Sequence, residues 1–151
     1  MNNTQKRIHE SSRFAIYFAP EISSALHMLG SQWIGRDANS GKLIKQPKIP
    51  DITSEYLYKI TKNPRLYGFH ATLKAPFQLN IRFTLNDLQD HIQRFCASTQ
   101  PFNMYLKIKQ ADQFLALVMD PREKKMVKLA SNLVKQADHF RAPIQQPMID
   151  K

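Results

Sequence analysis

The chain has 151 residues, of which 42% are hydrophobic and 23% charged, and this composition is typical of a globular protein rather than a disordered one. One cysteine and four glycines exclude disulfide-stapled and glycine-rich classes. The 22 basic and 12 acidic residues give a net charge of +10, spread along the whole chain. This charge favours an anionic partner or substrate, and a solvated basic surface is the commoner alternative.

The N-terminal residues carry no predicted export signal. Residues 1–9 are polar, and the first apolar run, Phe14–Ala19, is too short for a membrane span. The lone Cys96 is typical of a reducing compartment and has no neighbouring ligand for a metal or redox pair. We therefore expect a cytoplasmic protein without a metal, a cofactor or a membrane partner.

The first half of the chain begins with a strand pattern and continues with helical ones. Alternating apolar residues predict a strand over 13–20 that ends at a proline. Helical spacing predicts a helix over 22–34 and a second, short helix over 51–61 capped by Asp51. Residues 36–50 have no clear period and contain two prolines, which indicates a surface loop. The predicted core stripe of the first helix is Ile22, Leu26, Leu29 and Trp33, and the loop lysines are Lys42, Lys45 and Lys48.

The second half adds a helix, a hairpin and a final helix. A capping box at Thr84–Asp87 predicts the start of the first of these helices. The second hairpin strand, Phe114–Met119, is apolar on both faces, which predicts a central position in a sheet. Asp120 as N-cap before Pro121 predicts the start of the last helix. The predicted buried faces are Leu85, Leu88, Ile92 and Phe95 in one helix and Met126, Ala130, Leu133, Ala137 and Phe140 in the other.

These elements predict an α+β fold. Their order is typical of helices packed on a mostly antiparallel sheet. We predict a single domain over residues 13–142, preceded by a polar tail at 1–12 and followed by a tail at 143–151.

One segment carries candidate chemistry. Alternation within Tyr67–Phe77 predicts that His70, Thr72 and Lys74 share one face of a strand. An imidazole exchanges a proton near neutral pH, while a hydroxyl and an ammonium group bind phosphate oxygens. Together they suit a phosphodiester site in which an acid or base stands beside an anion clamp. Taken alone, a histidine on a half-exposed strand is more often a solvated side chain.

The segment YGFHATLKAPF resembles the signature of the 2H phosphoesterases, the LigT-like superfamily, in the branch linked to phosphonate metabolism. This resemblance implies a two-lobed α+β fold with one HxT/S motif from each lobe at a central cleft. It also implies metal-independent cleavage or ligation of 2′,3′-cyclic or related phosphodiesters, with one histidine as base and the other as acid. His70 and Thr72 match the first motif, as catalytic histidine and phosphate-binding hydroxyl. Further matching blocks are RFAIYFAP at 13–20, WIGRDANSG at 33–41, FLALV at 114–118 and FRAP at 140–143.

In members of that superfamily the second HxT/S motif lies after the FRAP block. His9-Glu10-Ser11 has the letters HxS, but it precedes the first predicted strand and does not take the place of that motif. His9 lies in the polar tail, and His27, His91 and His139 lie in predicted helices, where we expect structural or solvated side chains. The chain therefore resembles the first lobe with part of the connection, and is expected to be an incomplete hydrolase. A homodimer that brings two copies of His70 together would rebuild the pair of proton-transfer groups.

The sequence also offers candidate substrate-binding residues and two alternative functions. Lys74, Tyr17 and Arg141 are candidate substrate-binding residues: Tyr17 would stack on a base, and Arg141 would reach an anion. The expected ligand is a small phosphodiester or nucleotide, with RNA as a further candidate partner. The alternatives are a non-catalytic RNA- or nucleotide-binding module and a degenerate single-lobe protein without a ligand.

Overall fold

The computed structural model describes residues 12–143. The fold is α+β as predicted, but the strands form two antiparallel two-stranded sheets, β1 with β2 and β3 with β4. No helix of the described residues is long and apolar enough to cross a membrane. The elements in chain order are β1 Arg13–Phe18, α1 Ala25–Ile34, α2 Ser54–Ile60, α3 Lys62–Arg65, β2 Ala71–Gln78, α4 Leu85–Ala97, β3 Leu106–Ala111, β4 Phe114–Met119, α5 Lys124–Ala137 and a 3-10 turn, Asp138–Phe140.

The chain divides into two compact units. The continuous unit consists of residues 16–73, and the discontinuous unit joins the residues up to 15 with those from 74 onward. The single domain over 13–142 stays a prediction, and the predicted tails at 1–12 and 143–151 lie almost entirely outside the described residues.

Helix α1 of the continuous unit buries a different face from the predicted one. The Ser24 hydroxyl caps its first turn by accepting the His27 amide, and Gly35 ends it. Its buried residues are His27, Ser31 and Ile34. This face includes His27, which lies beside Asp37, a residue outside the helix. The spacing of apolar residues does not predict such a polar contact. The predicted stripe is wrong: Ile22 is 60% exposed, Leu26 36%, Leu29 61% and Trp33 40%.

Polar contacts also organise the two helices that follow. Helix α2 is capped by the Thr53 hydroxyl rather than by Asp51, whose φ of 62° lies in the left-handed region. Buried Arg65 donates to Thr61 Oγ1 at 3.1 Å and to the Tyr58 carbonyl at 2.6 Å. Its guanidinium carbon also lies 3.4 Å from the centroid of the Tyr58 ring. These hydrogen bonds satisfy a charge that would otherwise be costly to bury.

The helices of the discontinuous unit bury the predicted faces. The capping box of α4 is present: the Asp87 carboxylate accepts the Thr84 amide at 2.7 Å, and Thr84 Oγ1 accepts the Asp87 amide at 3.2 Å. Leu88 is the most buried residue of α4, and Leu133 and Ala137 are buried on α5. Phe140, the last residue of the predicted stripe, is buried in the 3-10 turn.

The predicted start of α5 is wrong by several residues. The helix begins at Lys124, and the Glu123 carboxylate caps it by accepting the Lys125 amide at 2.8 Å. Asp120 is engaged elsewhere, because its Oδ2 lies 3.3 Å from the ammonium nitrogens of both Lys107 and Lys109.

Strand β4 is not central, contrary to the prediction. It pairs with β3 in a hairpin whose register runs from Leu106↔Met119 to Ala111↔Phe114, and no third strand of the described residues lies beside it. Apolar residues on one face of the hairpin remain exposed: Ile108 by 74%, Leu115 by 65% and Leu117 by 38%. We call these three residues the apolar hairpin face.

Candidate functional site

A groove of about 740 Å³ opens on the continuous unit. Its wall is formed by the segment 19–23, which follows β1, and by side chains from four other places in this unit. Three of the lining residues are exposed and carry hydrogen-bonding groups: Glu21, Ser23 and Asn39. The remaining lining side chains outside that segment are Tyr17, His27, Ala38 and His70.

The His70 imidazole is held in one orientation. Its Nδ1 lies 2.9 Å from the Gly68 carbonyl oxygen, and a carbonyl only accepts, so Nδ1 carries the proton. In the neutral ring Nε2 is then the basic nitrogen, and it lies 3.4 Å from Thr72 Oγ1. Because Nε2 and Oγ1 are only 3.4 Å apart, these two groups lie close enough together to contact a single phosphate.

Tyr17 lies directly against this imidazole. The two ring centroids are 3.9 Å apart and the planes are tilted by 30°. Tyr67 is a more distant aromatic neighbour at 6.3 Å. The Tyr17 ring therefore covers one face of His70 and limits its rotation.

The strand that carries the motif begins later than predicted. Strand β2 begins at Ala71, so His70 precedes it, and Lys74 is buried while Thr72 is exposed. His70 instead contacts the Gly68 carbonyl, and buried Lys74 forms an ion pair inside the discontinuous unit.

Lys74 and Arg141 are both engaged by Asp138 within the discontinuous unit. The Lys74 ammonium lies 3.0 Å from Asp138 Oδ1, and Arg141 Nε and Nη2 donate to the two carboxylate oxygens at 2.9 and 3.2 Å. The Arg141 and Lys74 hydrogen bonds lower the pKa of Asp138 to about 2, and the same carboxylate raises the pKa of Arg141. Both charges are thus directed to a protein carboxylate.

Asp37 organises the turn that forms one side of the groove. Its Oδ1 accepts the Asn39 amide at 2.9 Å, and its Oδ2 accepts the Ser40 hydroxyl at 2.7 Å. These hydrogen bonds, together with the nearby His27 ring, lower the pKa of Asp37. Sequence reasoning missed Asp37, although Asp-Ala-Asn-Ser-Gly is a turn-forming composition in which an aspartate binds the backbone two residues on.

A second, smaller groove of about 310 Å³ lies on the discontinuous unit. The His91 and His139 rings meet edge to face with centroids 5.6 Å apart. Burial, His139 and Arg94 lower the pKa of His91, which is half-buried. Aromatic packing against Phe83 and Phe140 accounts for this arrangement.

Metal ligands are not gathered in the described part of the chain. Within residues 12–143, no group of three or more histidine, cysteine, aspartate or glutamate side chains is arranged to hold a metal ion. Cys96 is exposed and unpaired with another cysteine.

Two curated proteins share sequence with this chain. A protein of Janthinobacterium sp. (strain Marseille) named ribose 1,5-bisphosphate phosphokinase PhnN is 35% identical over 141 residues, which is 93% of this chain and 31% of that protein. A protein of the same name from Laribacter hongkongensis (strain HLHK9) is 39% identical over 67 residues, which is 44% of this chain and 16% of that protein. The chain spans less than a third of either relative. No solved structure matches it significantly.

A family model also matches. Its description is "Protein of unknown function (DUF1045)", and the match covers residues 72–151. It begins at the motif hydroxyl, Thr72, and includes β2 from its second residue, α4, the hairpin and α5. Since the match covers more than half of the 151 residues, the chain belongs to the DUF1045 family.

Proposed function

We propose that the groove of the continuous unit binds the phosphate of a small phosphodiester or nucleotide, as the resemblance to 2H phosphoesterases implies. One observation carries this proposal: His70 has its Nδ1 proton fixed on the Gly68 carbonyl, and its Nε2 lies 3.4 Å from the Thr72 hydroxyl. In this geometry Nε2 is the general acid or base and Thr72 is the phosphate clamp. Lys74 and Arg141 have no part in the proposal, because Asp138 engages both.

The rest of the groove wall suits the organic part of such a ligand. Ser23, Asn39 and Glu21 offer groups that donate to or accept from hydroxyls, as a ribose requires. The carboxylate of Glu21 would repel a ligand charged along its whole length, so a ligand with one phosphate fits better than a polyanion. Seven basic and four acidic residues in the continuous unit still give it a net positive charge.

The relatives support a phosphorylated ligand in a general way. Their name describes an enzyme of ribose 1,5-bisphosphate, and it agrees with the link to phosphonate metabolism that the sequence resemblance implies. The kinase activity itself is not part of the proposal. The chain corresponds to less than a third of either relative, and its sequence contains no G-x-x-x-x-G-K-[S/T] loop of the kind that binds nucleotide phosphates.

Turnover requires a second proton-transfer group. His27 lines the same groove, but its Nε2 faces Asp37 and its Nδ1 is buried, so neither nitrogen is free to reach a ligand. We therefore propose binding as the activity of the described groove, and phosphodiester hydrolysis where a second histidine is supplied by another copy or another part of the protein.

Binding of 2′-AMP tests the proposal, with affinity measured by calorimetry at low and high salt. We expect His70→Ala and Thr72→Val each to weaken binding at least tenfold, because each removes one of the two groups placed at the phosphate. His139→Ala and Thr99→Val are matched controls in the discontinuous unit and should leave the affinity unchanged. An absence of binding by the folded wild type would overturn the proposal.

The salt dependence separates a small-ligand site from an RNA-binding module. A module that reads an RNA backbone through Lys42, Lys45 and Lys48, which are exposed, loses affinity steeply as salt rises. A single-phosphate groove changes little. In parallel, turnover of 2′,3′-cyclic nucleotides in EDTA, compared with His70→Ala, would reveal a second proton-transfer group, since one such group contributes about 10²–10⁴-fold in rate.

A further inference from the structure

His27 is a buried histidine that lies beside one carboxylate. It is 6% exposed, and its Nε2 lies 3.3 Å from Asp37 Oδ1. Its Nδ1 is buried and has no hydrogen-bond partner. A proton on Nε2 would face the Asp37 carboxylate, whereas a proton on Nδ1 would be buried without an acceptor. The geometry therefore favours a proton on Nε2, the ring nitrogen that lies beside Asp37.

Asp37 connects His27 to the turn of residues 37–42, because the same carboxylate that lies beside His27 accepts hydrogen bonds within the turn. Its carboxylate accepts the Asn39 amide and the Ser40 hydroxyl, and its main chain closes the turn with Gly41 and Lys42. Its amide donates to the Lys42 carbonyl at 3.0 Å, and its carbonyl accepts the Gly41 amide at 2.9 Å. The side chain and the main chain of one residue thus set the shape of the whole turn.

The turn lies against the residue that orients His70. Gly68 has a φ of +81°, and a Cβ added there would lie 2.7 Å from the Ala38 Cβ and 2.8 Å from the Ala38 Cα. The carbonyl of the same Gly68 accepts the His70 Nδ1 proton at 2.9 Å. A displacement of Ala38 would therefore also displace the Gly68 carbonyl, which fixes the tautomer of His70.

We propose that His27 and Asp37 are positioning residues for His70: they fix the 37–42 turn, the turn supports Gly68, and Gly68 holds the basic Nε2 of His70 towards Thr72. This inference rests on the proposed function for its meaning but not for its first test, because the tautomer of His70 is measurable without a ligand. Neither residue touches the phosphate, so their effect on binding passes through His70.

The test compares variants of His27 that differ in one hydrogen-bond donor. Glutamine keeps an N–H that can reach Asp37, whereas leucine keeps the bulk without a donor. Long-range nitrogen–proton correlation spectra of the ¹⁵N-labelled full chain, at a pH where His70 is neutral, report its tautomer. We expect the Nδ1–H form alone in the wild type, a mixture of the two tautomers in His27→Leu and Asp37→Asn, and restoration of the single form in His27→Gln.

Affinity for 2′-AMP provides the second measurement. His27→Leu and Asp37→Asn should weaken binding about tenfold in the wild-type background and have no further effect when His70 is already alanine, since coupled residues are not additive. His91→Gln, which removes a half-buried histidine of the discontinuous unit, is the control. If the His27 variants fail to fold, Asp37→Asn decides the result, because Asp37 is only half-buried.

The outcomes separate the inference from the proposed function. A His70 tautomer that is unchanged in Asp37→Asn and His27→Leu overturns the inference even if 2′-AMP binds. A tautomer that responds as expected in a protein that does not bind 2′-AMP supports the positioning chain and overturns the proposed function. An additive loss of affinity in the His70→Ala background would show that the pair acts on the ligand by another route, which also contradicts the inference.

Discussion

Gly68 combines a backbone requirement with a steric one. Its positive φ disfavours any side chain, and the space beside it is filled by the backbone of Ala38. Gly41 has a similar φ of +70°, but a Cβ there would meet only the Arg36 side chain at 3.5 Å, which is an ordinary contact. Alanine substitutions at the two glycines therefore separate the free-energy cost of a positive φ from that of the steric clash with Ala38.

We predict that Gly68→Ala destabilises the protein more than Gly41→Ala does. The left-handed conformation costs each variant about 1–2 kcal/mol, and only Gly68→Ala also has to displace the neighbouring backbone. Urea unfolding measures both losses. Equal losses would show that Ala38 moves aside at no cost.

The Asp138 carboxylate provides a pH-dependent contribution to stability. Its pKa falls from 3.8 to about 2 because Arg141 and Lys74 hydrogen-bond to its charged form. A carboxyl group whose pKa is lowered in the folded state contributes stability above its unfolded pKa and loses it as pH falls through the folded value.

We therefore predict that the stabilising effect of Asp138 is complete above pH 4 and decreases from there to about pH 2. Asp138→Asn should lower the urea midpoint at pH 6, and its difference from the wild type should shrink as the pH falls through this window. Asp90→Asn, at an exposed position of α4, serves as the reference variant. A difference that is constant with pH would contradict this account.

At the scale of the secondary-structure elements, α4 shows a cap made entirely by local sequence. The Thr84 hydroxyl accepts the Asp87 amide at 3.2 Å and also donates to its carboxylate at 2.7 Å. We predict that Thr84→Ala lowers the free energy of unfolding by about 0.5–2 kcal/mol, the usual cost of losing a helix cap. Thr84→Ser retains the hydroxyl and should be close to the wild type in the same urea titration. A loss as large in Thr84→Ser would mean that the threonine methyl, not the cap, matters.

The sequence predicts elements well where their determinants are local. The capping box of α4 and the bounds of β4, Phe114–Met119, are confirmed because a few neighbouring residues specify them. The prediction of the buried face of α1 was wrong because this face contains His27, whose neighbour Asp37 lies outside the helix. The central position of β4 was wrong because strand pairing depends on distant segments that periodicity does not identify.

The same distinction applies to the candidate site. The motif letters identify His70 and Thr72, and the structure places their side chains 3.4 Å apart. Their surroundings could not be predicted, because the Tyr17 ring and the Gly68 carbonyl approach His70 only in three dimensions. Lys74 shows the opposite case, since a basic residue two positions from the motif is bound by a carboxylate 64 residues away.

At the scale of the whole molecule, the apolar hairpin face is unusual for a protein surface. Register places Leu115, Leu117 and Ile108 on the same side of the sheet, and no charged side chain of β3 or β4 lies on that side. Exposed uncharged faces of this kind are typical of protein-association sites, and two copies could cover each other here without bringing like charges together.

We predict concentration-dependent self-association through this face. Leu115→Glu should shift sedimentation towards the monomer, because it places two like charges in a two-fold contact, and should change stability by less than about 0.5 kcal/mol at so exposed a position. Ile81→Glu is the matched control, since Ile81 is 96% exposed and lies outside the hairpin. A wild type that is monomeric at every concentration would contradict the prediction.

The division into a continuous and a discontinuous unit has a consequence for synthesis. Every residue of the continuous unit has left the ribosome once residue 73 has emerged, so its contacts can form while the chain is still growing. The discontinuous unit must wait, because Lys74 meets Asp138 only after α5 has been made. Since long-range closure slows folding, we expect the groove around His70 to be assembled before the Lys74–Asp138 contact closes the discontinuous unit.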